Sequence, residues 1–491
     1  MTFLFEGSKW LLVAEGFYLL LILAVLARVV LDTRSVAKTL AYILLVVFVP
    51  LLGMIFYFSF GINYRKRKIY SKKLKVDDSF KADFQARIRS YREMIRKLDS
   101  PLLRENKPLI TLLSHLGVGG SHVLENTEVR LLQNGENFFP LLIEEMWKAR
   151  NHIHIQSYIY DDDEIGNKLK EVMIAKAKEG VEVRLIYDDF GSMQIRRTLV
   201  KELIANGVQA FPFNRIRIIQ LANRLNYRNH RKIAVIDGTT SFVGGINVSD
   251  KYINGEGKLY WRDTHLMIRG FSSMTLQQIF LADWNFCAKD TISVNRRYFP
   301  LEESVPHPDP KLVQVTASGP DSDRPNILYA VLQAISKARK EILITTPYYI
   351  PDSSLQEALI IAALSSVDVK LLVPAEADSF LVTLASQSYF EELLAAGVKI
   401  YLYRKGFVHA KTFVVDRQVA SVGTANLDAR SFDLNFEVAA FIYDQEVAGE
   451  LARDFLNDLQ DAEELRLADW AERPRWKIFS ERVIRLFSPF M

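Results

Sequence analysis

A single cysteine, Cys287, in 491 residues leaves no intramolecular disulfide and no thiolate-rich metal site possible. A reducing compartment is the expected setting. Histidine is also scarce, at eight residues, which gives weight to any pattern that uses two of them at matching places. A general surplus of positive charge is missing as well. The formal net charge is +4, but RKRKIYSKKLK, from Arg65 to Lys75, holds seven basic residues, and removing those seven leaves −3. That excludes a chain basic throughout, as a general nucleic-acid binder would be, and confines the basicity to one segment. At roughly 150 residues per domain the length suggests about three units.

The chain is rich in apolar sequence at its start. Residues 39–60 are 22 positions without a charged side chain, and a helix of that length reaches about 33 Å, enough for a hydrocarbon core of about 30 Å. An earlier run, Trp10 to Ala27, is apolar apart from Glu15, with Trp10 and Arg28 suited to the two interfaces. A cleaved signal peptide ending near Val25 and Ala27 is the competing reading, but the start carries only Lys9 against Glu6 and a second span follows at once. The expected unit is a two-helix transmembrane hairpin over residues 1–64, with spans near 10–28 and 39–60. Arg28, Arg34 and Lys38 lie between the spans, whereas seven basic residues follow the second. The excess of Lys and Arg then places everything after Arg65 in the cytoplasm. The collar also attracts anionic headgroups, at about 1 kcal/mol per basic residue near the surface.

The rest of the chain contains one unit twice. The first copy reads MWKARNHIHIQSYIY, GVEVRLIYDDFGS, ELIANGVQAF and HRKIAVID; the second reads ISKARKEILITTPYY, SVDVKLLVPAEADS, ELLAAGVKIY and HAKTFVVD. Each alternates helix-like stretches with short β-rich runs, and Gly180, Gly207 and Gly397 sit where helices should end. The pattern predicts an α/β chain of two similar, pseudo-symmetric lobes, each a mixed, largely parallel sheet flanked by helices. The expected divisions are a basic, helical linker over 65–125, lobes over 126–310 and 311–465, and a tail over 466–491. About eleven extra residues in the first copy fall near NRIRIIQLANRLNYR. That stretch, with Ile216, Ile218, Ile219, Leu221 and Leu225, reads as a surface helix or as a lip touching lipid.

Both copies close on H-x-K-x4-D, as His230, Lys232 and Asp237 and as His409, Lys411 and Asp416. A duplicated match with so few histidines is a strong signal, and the six residues form the candidate catalytic set. Asn247 and Asn426, each 17 residues after its histidine, are candidate substrate-binding residues. In a strand, His and Lys two apart point to one side, so pseudo-symmetric lobes would bring two imidazoles, two ammoniums and two carboxamides to a common cleft. A phosphodiester fits that set. Lys and Asn would stabilise the equatorial oxygens, one neutral His would attack, and the other, protonated, would serve the departing alkoxide. No metal or other cofactor is required. Asp237 and Asp416 lie an odd number of residues from the histidines, so a structural role at a turn is expected of them. Asp263 and Glu437, at comparable places after the two motifs, are the candidate carboxylates for orienting the imidazoles. His115, His122, His152, His154 and His307 read as structural, and Asp161, Asp162, Asp163 and Glu164 as a helix cap rather than a cation site.

With these motifs, HRKIAVID with GGIN and HAKTFVVD with GTANLDARSF, the sequence resembles the phospholipase D superfamily over about residues 110–465. Through its whole layout, including YYIPD at Tyr348 to Asp352, it is similar to bacterial cardiolipin synthases. The resemblance implies transfer of a phosphatidyl group from one phosphatidylglycerol to another through a phosphohistidine, giving cardiolipin and glycerol. It implies a multi-pass protein of the bacterial cytoplasmic membrane, with its catalytic lobes facing the cytoplasm. Family habit makes His230 the nucleophile and His409 the acid/base, although pseudosymmetry prevents the sequence from assigning them. Phosphatidylglycerol and anionic membrane lipids are the expected partners, and nucleic acid is not. The alternatives are a membrane phospholipase D using water or another alcohol, a nuclease-like phosphodiesterase, and a non-catalytic scaffold, which would be expected to have lost a His or Lys. The tail, RPRWKIFSERVIRLFSPFM, reads as a basic amphipathic helix that lies on the membrane or caps the second lobe.

Overall fold

Proline decides the first departure from these expectations. The structure, a computed structural model, describes residues 2–33, 36–58, 100–116, 121–215, 227–288, 290–300 and 309–488. The collar Arg65–Lys75, residues 216–226 of the candidate lip, and His307 lie outside the described residues. The chain divides into a helical unit at its start and a larger unit that carries both repeats. In the first unit, α1 (Thr2–Asp32) includes Leu12–Asp32, of mean hydropathy 2.2. Among the described residues it is the one helix long and apolar enough to cross a membrane. The second apolar run is not one helix. It forms α2 (Val36–Phe48) and α3 (Pro50–Phe56), interrupted at Val49, whose φ is −136°. Pro50 has no N–H to donate and crowds the residue before it out of the helical region. The two pieces span about 20 and 10 Å, each short of a hydrocarbon core of about 30 Å. Gly53 lies against the backbone of Leu45, where a Cβ would stand 2.5 Å from the carbonyl oxygen. Val25, Val29, Tyr42, Val46, Met54 and Tyr57 form this unit's own core.

The strands follow in chain order. The first repeat supplies β1 (Val123–Gln133), β2 (His152–Ser157), β3 (Glu182–Asp188), β4 (Gln209–Phe213), β5 (Ile233–Ile236), β6 (Thr240–Gly244), β7 (Tyr260–Arg262) and β8 (Thr264–Gly270). The second supplies β9 (Lys311–Ser318), β10 (Glu341–Thr345), β11 (Tyr349–Ile350), β12 (Asp368–Pro374), β13 (Lys399–Tyr403), β14 (Gly406–Val408), β15 (Thr412–Val415), β16 (Val419–Gly423), β17 (Leu427–Asp428) and β18 (Glu437–Tyr443), with β19 (Ala462–Glu464) after them. Fifteen of these strands form one sheet in the order β19-β13-β12-β10-β15-β16-β18-β9-β1-β8-β6-β5-β2-β3-β4. Read outward from its centre, the order β1-β8-β6-β5-β2-β3-β4 is repeated by β9-β18-β16-β15-β10-β12-β13. The two halves join where Val123–Asn126 pair antiparallel with Lys311–Gln314.

The sheet is mixed, as expected, but not largely parallel. Parallel pairing is confined to the outer strands, β2 with β3, β3 with β4, β10 with β12 and β12 with β13. The inner strands are antiparallel because tight turns connect β5 to β6 and β15 to β16. Asp237 and Gly238 take φ of 52° and 73° in the first turn, and Asp416 and Arg417 take 52° and 51° in the second.

Alternation along the strands sorts side chains into two layers. Ala234 and Ile236 of β5 face a core beneath helices of the first repeat, with Phe138, Leu169 and Leu203. Ile233 and Val235 face the opposite side, where strands of both repeats meet Leu276 of the helix Ser272–Cys287 and Leu451 of the helix Gln445–Asp458. Each fully buried apolar side chain contributes about 1.5–3 kcal/mol of burial free energy, so this shared layer holds the halves together. Gly180, Gly207 and Gly397 end their helices at φ of 90°, 88° and 94°, a region glycine enters without cost.

The C-terminal helix, Arg475–Arg485, turns its polar side inward. Glu481 is buried and takes an ion pair from Arg473 at 2.6 Å, while Arg485 pairs with Glu392 at 3.0 Å and stacks over Tyr389. Its apolar side faces out, with Trp476, Phe479 and Leu486 each more than 70% exposed.

Candidate active site

The duplication places each motif where the other repeat can reach it. Just before His230, Asn229 bridges Phe436 in parallel fashion, and the His230 N–H donates to the Phe436 carbonyl at 3.0 Å. Just before His409, β14 pairs in parallel with β7, and the His409 N–H donates to the Arg262 carbonyl at 2.7 Å. Phe436 and Arg262 are each followed by a carboxylate, Glu437 at the start of β18 and Asp263 immediately before β8.

The carboxylates consequently cross over. The Nδ1 of His230 lies 3.0 Å from a Glu437 carboxylate oxygen, and the Nδ1 of His409 lies 2.7 Å from Asp263 Oδ2. Each imidazole is held by the repeat that does not contain it. The second ring nitrogen, Nε2, is the one left for chemistry on each. Glu437 also accepts from the Thr424 hydroxyl and, at 3.2 Å, from Asn435 Nδ2. Asp263 accepts the Thr264 N–H at 2.7 Å through Oδ1. Where the second repeat has Thr424, the first has Gly245, and there a Cβ would stand 2.1 Å from Asp263 Oδ1. The shorter carboxylate therefore needs the glycine.

Lys232 donates to the His230 carbonyl at 2.7 Å, and Lys411 donates to the His409 carbonyl. The Lys411 ammonium also lies 2.9 Å from His409 Nδ1, but the closer Asp263 oxygen takes the Nδ1–H. Both ammoniums are buried. Aromatic rings wall the cleft. Tyr158 stands edge-on to His230 at 5.0 Å, while Tyr252 and Trp261 approach His409 at 5.8 and 5.6 Å.

Electrostatics follow from this crowding. Burial holds the His230 imidazole below its ordinary value of 6.5, against the raising effect of Glu437. Burial also pushes His409 well below that value, and the cationic Lys411 and Lys232 push it further. Desolvation brings Lys232 down to about 7 and Lys411 to about 8, because the attraction of Glu437 and Asp263 only partly offsets it. A ligand-free cleft thus releases positive charge, and an anionic phosphodiester would restore it.

Other candidate residues take supporting places. Asn247 accepts the Ile159 N–H at 3.2 Å and donates to the Tyr252 hydroxyl at 2.6 Å, so its carboxamide is already partly committed. Asn426 Oδ1 has no hydrogen-bond partner among the described residues. Asp237 and Asp416, counted with the catalytic motif, sit at the far ends of β5 and β15 instead. Asp237 accepts the N–H groups of Arg150, Asn151 and His152, and Asp416 those of Arg339, Lys340 and Glu341. A strand running from motif to turn puts that carboxylate at the opposite end from the imidazole, so neither Asp reaches the reacting groups. Asp163 caps the helix Glu164–Lys178 through the Gly166 N–H. His152 and His154 are buried against Gln277, and His115 bonds the Thr111 carbonyl. Sequence reading passed over Thr424, Tyr158, Tyr252 and Trp261. Thr424 had a signal, because it replaces the second glycine of GGIN.

The family model described as "Cardiolipin synthase, PLD-like domain" matches residues 142–274 and 331–459, one match per repeat. A second, described as phospholipase D-nuclease N-terminal, matches residues 20–61. A cardiolipin synthase of Geobacillus sp. is 43% identical over 94% of this chain and 90% of its own length. The major cardiolipin synthase ClsA of Bacillus subtilis is 39% identical over 97% of this chain and 98% of its own. Among solved structures, a phosphatidylserine synthase of Haemophilus influenzae covers 79% of this chain and 98% of its own, with a TM-score of 0.59 and 15% identity, and so shares the fold. Two intact motifs, the repeated sheet and relatives matched along nearly their whole length agree: the chain belongs to the cardiolipin synthases of the phospholipase D superfamily.

Proposed function

We propose that the protein transfers the phosphatidyl group of one phosphatidylglycerol to another, with His230 as nucleophile and His409 as acid/base. The observation that carries this is the pair of imidazoles in one buried cleft, each bound through Nδ1 to a carboxylate of the other repeat. With Nδ1–H donated to Glu437, the His230 Nε2 lone pair attacks phosphorus, while protonated His409 gives its proton to the departing glycerol. Neutral His409 then takes the proton from the hydroxyl of a second phosphatidylglycerol, which attacks the phosphorus and releases His230. Lys232 and Lys411, with a free carboxamide N–H of Asn247 and Asn426, stabilise the equatorial oxygens. Purified protein supplied with phosphatidylglycerol vesicles and no added metal is expected to yield cardiolipin and glycerol, with acid-labile phosphate trapped on His230. Phosphatidic acid as sole product would overturn the transfer, and phosphate on His409 the assignment.

The lysines act as cations, so the rate falls as pH rises through their values of about 7 and about 8. The nucleophile acts neutral, so the rate falls as pH drops through a value held below 6.5. The expected kcat/KM profile falls on the acid side below 6.5, as His230 protonates, and on the basic side in two stages, first as His409 loses its proton below 6.5 and then as the lysines lose theirs between about 7 and about 8. The bound anion favours both ammoniums, so the basic limb of kcat should lie at higher pH than that of kcat/KM. Coincident limbs would show that the lysines do not meet the phosphodiester.

The same reading sets the protein in the bacterial cytoplasmic membrane through α1 and the bent α2–α3 segment, with the repeats on the cytoplasmic side. The basic collar supports that orientation, and protease access to the repeats in inverted but not right-side-out vesicles tests it. The outward apolar side of the C-terminal helix, flanked by Arg475, Lys477 and Arg482, suits an anionic bilayer surface. Replacing Trp476 and Phe479 together by Asp is expected to lower cardiolipin formation severalfold on vesicles but not with short-chain phosphatidylglycerol dispersed as monomers. An equal loss on both would mean that the helix only caps the second repeat.

A further inference from the structure

Cardiolipin carries two phosphates one glycerol apart, so transfer between two phosphatidylglycerols needs a place for a phosphate that does not react. The two buried lysines attend the reacting one. Lys251 is a third cation at the cleft, exposed and four residues beyond Asn247. Its ammonium stands 4.8 Å over the Trp261 ring and 5.4 Å over the Tyr252 ring. Those are the two rings that wall His409, at 5.6 and 5.8 Å. Among the described residues the Lys251 ammonium has neither a carboxylate within ion-pair distance nor a hydrogen bond, although Asp161, Asp263 and Asp378 are near enough to attract it. It also lies close enough to His409, Lys232 and Lys411 to disfavour their protonation. An uncommitted cation held by two aromatic faces beside the acid/base is placed for an anion on that side of the cleft. The second repeat has Arg430 at the equivalent position, four residues after Asn426, so the first repeat's basic residue is not an isolated surface lysine.

The reaction geometry says which phosphate lies there. In-line displacement puts the oxygen that leaves, and later the oxygen that attacks, opposite His230 and therefore beside His409. The glycerol bearing that attacking oxygen extends outward past His409, and its own phosphate follows. We propose that Lys251, with Trp261 and Tyr252, binds the phosphate of the acceptor phosphatidylglycerol and thereby selects a lipid over water or free glycerol as acceptor. This rests on the transfer reading and on His230 as nucleophile. In the step it serves, the acceptor oxygen bonds to phosphorus, the bond from phosphorus to His230 Nε2 breaks, and the hydroxyl proton passes to His409.

Free glycerol separates this role from the chemistry, because it can attack the phosphatidyl-enzyme but has no phosphate. The full-length protein in phosphatidylglycerol vesicles is given labelled glycerol, and cardiolipin, phosphatidic acid and labelled phosphatidylglycerol are counted together. Lys251→Gln is expected to lower cardiolipin formation at least tenfold relative to labelled-glycerol exchange and to raise the share of phosphatidic acid. Lys251→Arg should recover most of the ratio. Equal losses of cardiolipin and exchange, or an unchanged ratio, would overturn the subsite. Wild-type protein that exchanges glycerol without forming cardiolipin would instead overturn the transfer reading on which it rests.

Discussion

Glu437→Gln and Asp263→Asn should each lower turnover by about 10³- to 10⁴-fold, the scale seen when the carboxylate of a carboxylate–histidine pair becomes an amide. The cause is the tautomer. Glu437 meets His230 Nδ1 at 3.0 Å and Asp263 meets His409 Nδ1 at 2.7 Å. A carboxylate can only accept, so it fixes the proton on Nδ1. An amide can donate instead, which moves the proton to Nε2 and removes the lone pair that must attack or take up a proton. The two variants should separate with the leaving group. A phosphatidyl ester of p-nitrophenol needs no acid to expel its alcohol, so it should restore the first step in Asp263→Asn but not in Glu437→Gln. The reverse pattern would make His409 the nucleophile, and rescue of both or of neither would remove the division of labour. Gly245→Ala should resemble Asp263→Asn, because its Cβ would stand 2.1 Å from Asp263 Oδ1 and push that carboxylate off the imidazole.

The crossing of these carboxylates was the part of the site that the sequence did not reveal. His230 and His409 were legible from the motif, and Asp263 and Glu437 from their equivalent places after it. The pairing that joins them is separated by 207 residues in one case and 146 in the other, and a repeat pattern carries no sign of which copy a side chain will face. The parallel pairing of β14 with β7, beside the bridge from Asn229 to Phe436, decides it. The fold shows the same division. Short β-rich runs such as Ile233, Ala234, Val235 and Ile236 marked strands, and Gly180 and Gly207 marked helix ends, because local geometry governs both. The union of two sheets through β1 and β9 depends on an edge pairing with no local signal. The short turn at Asp237 and Gly238 did carry one, since so short a connection can join only antiparallel strands. The break at Pro50 was equally local, and it divides the second apolar run into two helical pieces.

Asp237 and Asp416 should behave unlike every other polar residue of the motif, failing in stability rather than in turnover. The Asp237 carboxylate accepts the N–H groups of Arg150, Asn151 and His152 at 2.8, 2.8 and 2.9 Å, just where β2 begins. Asp416 does the same for Arg339, Lys340 and Glu341 at 2.9, 2.7 and 3.0 Å, just where β10 begins. Each therefore ties a β-turn to the neighbouring strand of the sheet. Hydrogen bonds to a charged acceptor contribute about 1.5–3 kcal/mol each and do not add fully, so Asp237→Ala should cost about 3 kcal/mol or more. The left-handed backbone at φ 52° adds to that cost for alanine. Asparagine tolerates the same backbone and keeps one acceptor oxygen, so Asp237→Asn should cost about 1–2 kcal/mol. Thermal unfolding should show the order wild type, Asn, Ala, while kcat of the protein still folded at low temperature stays within about twofold, because no contact to His230 or Lys232 is lost. The same order is expected at Asp416. A fall in kcat comparable to that of Lys232→Ala, without a matching drop in Tm, would return these carboxylates to the chemistry.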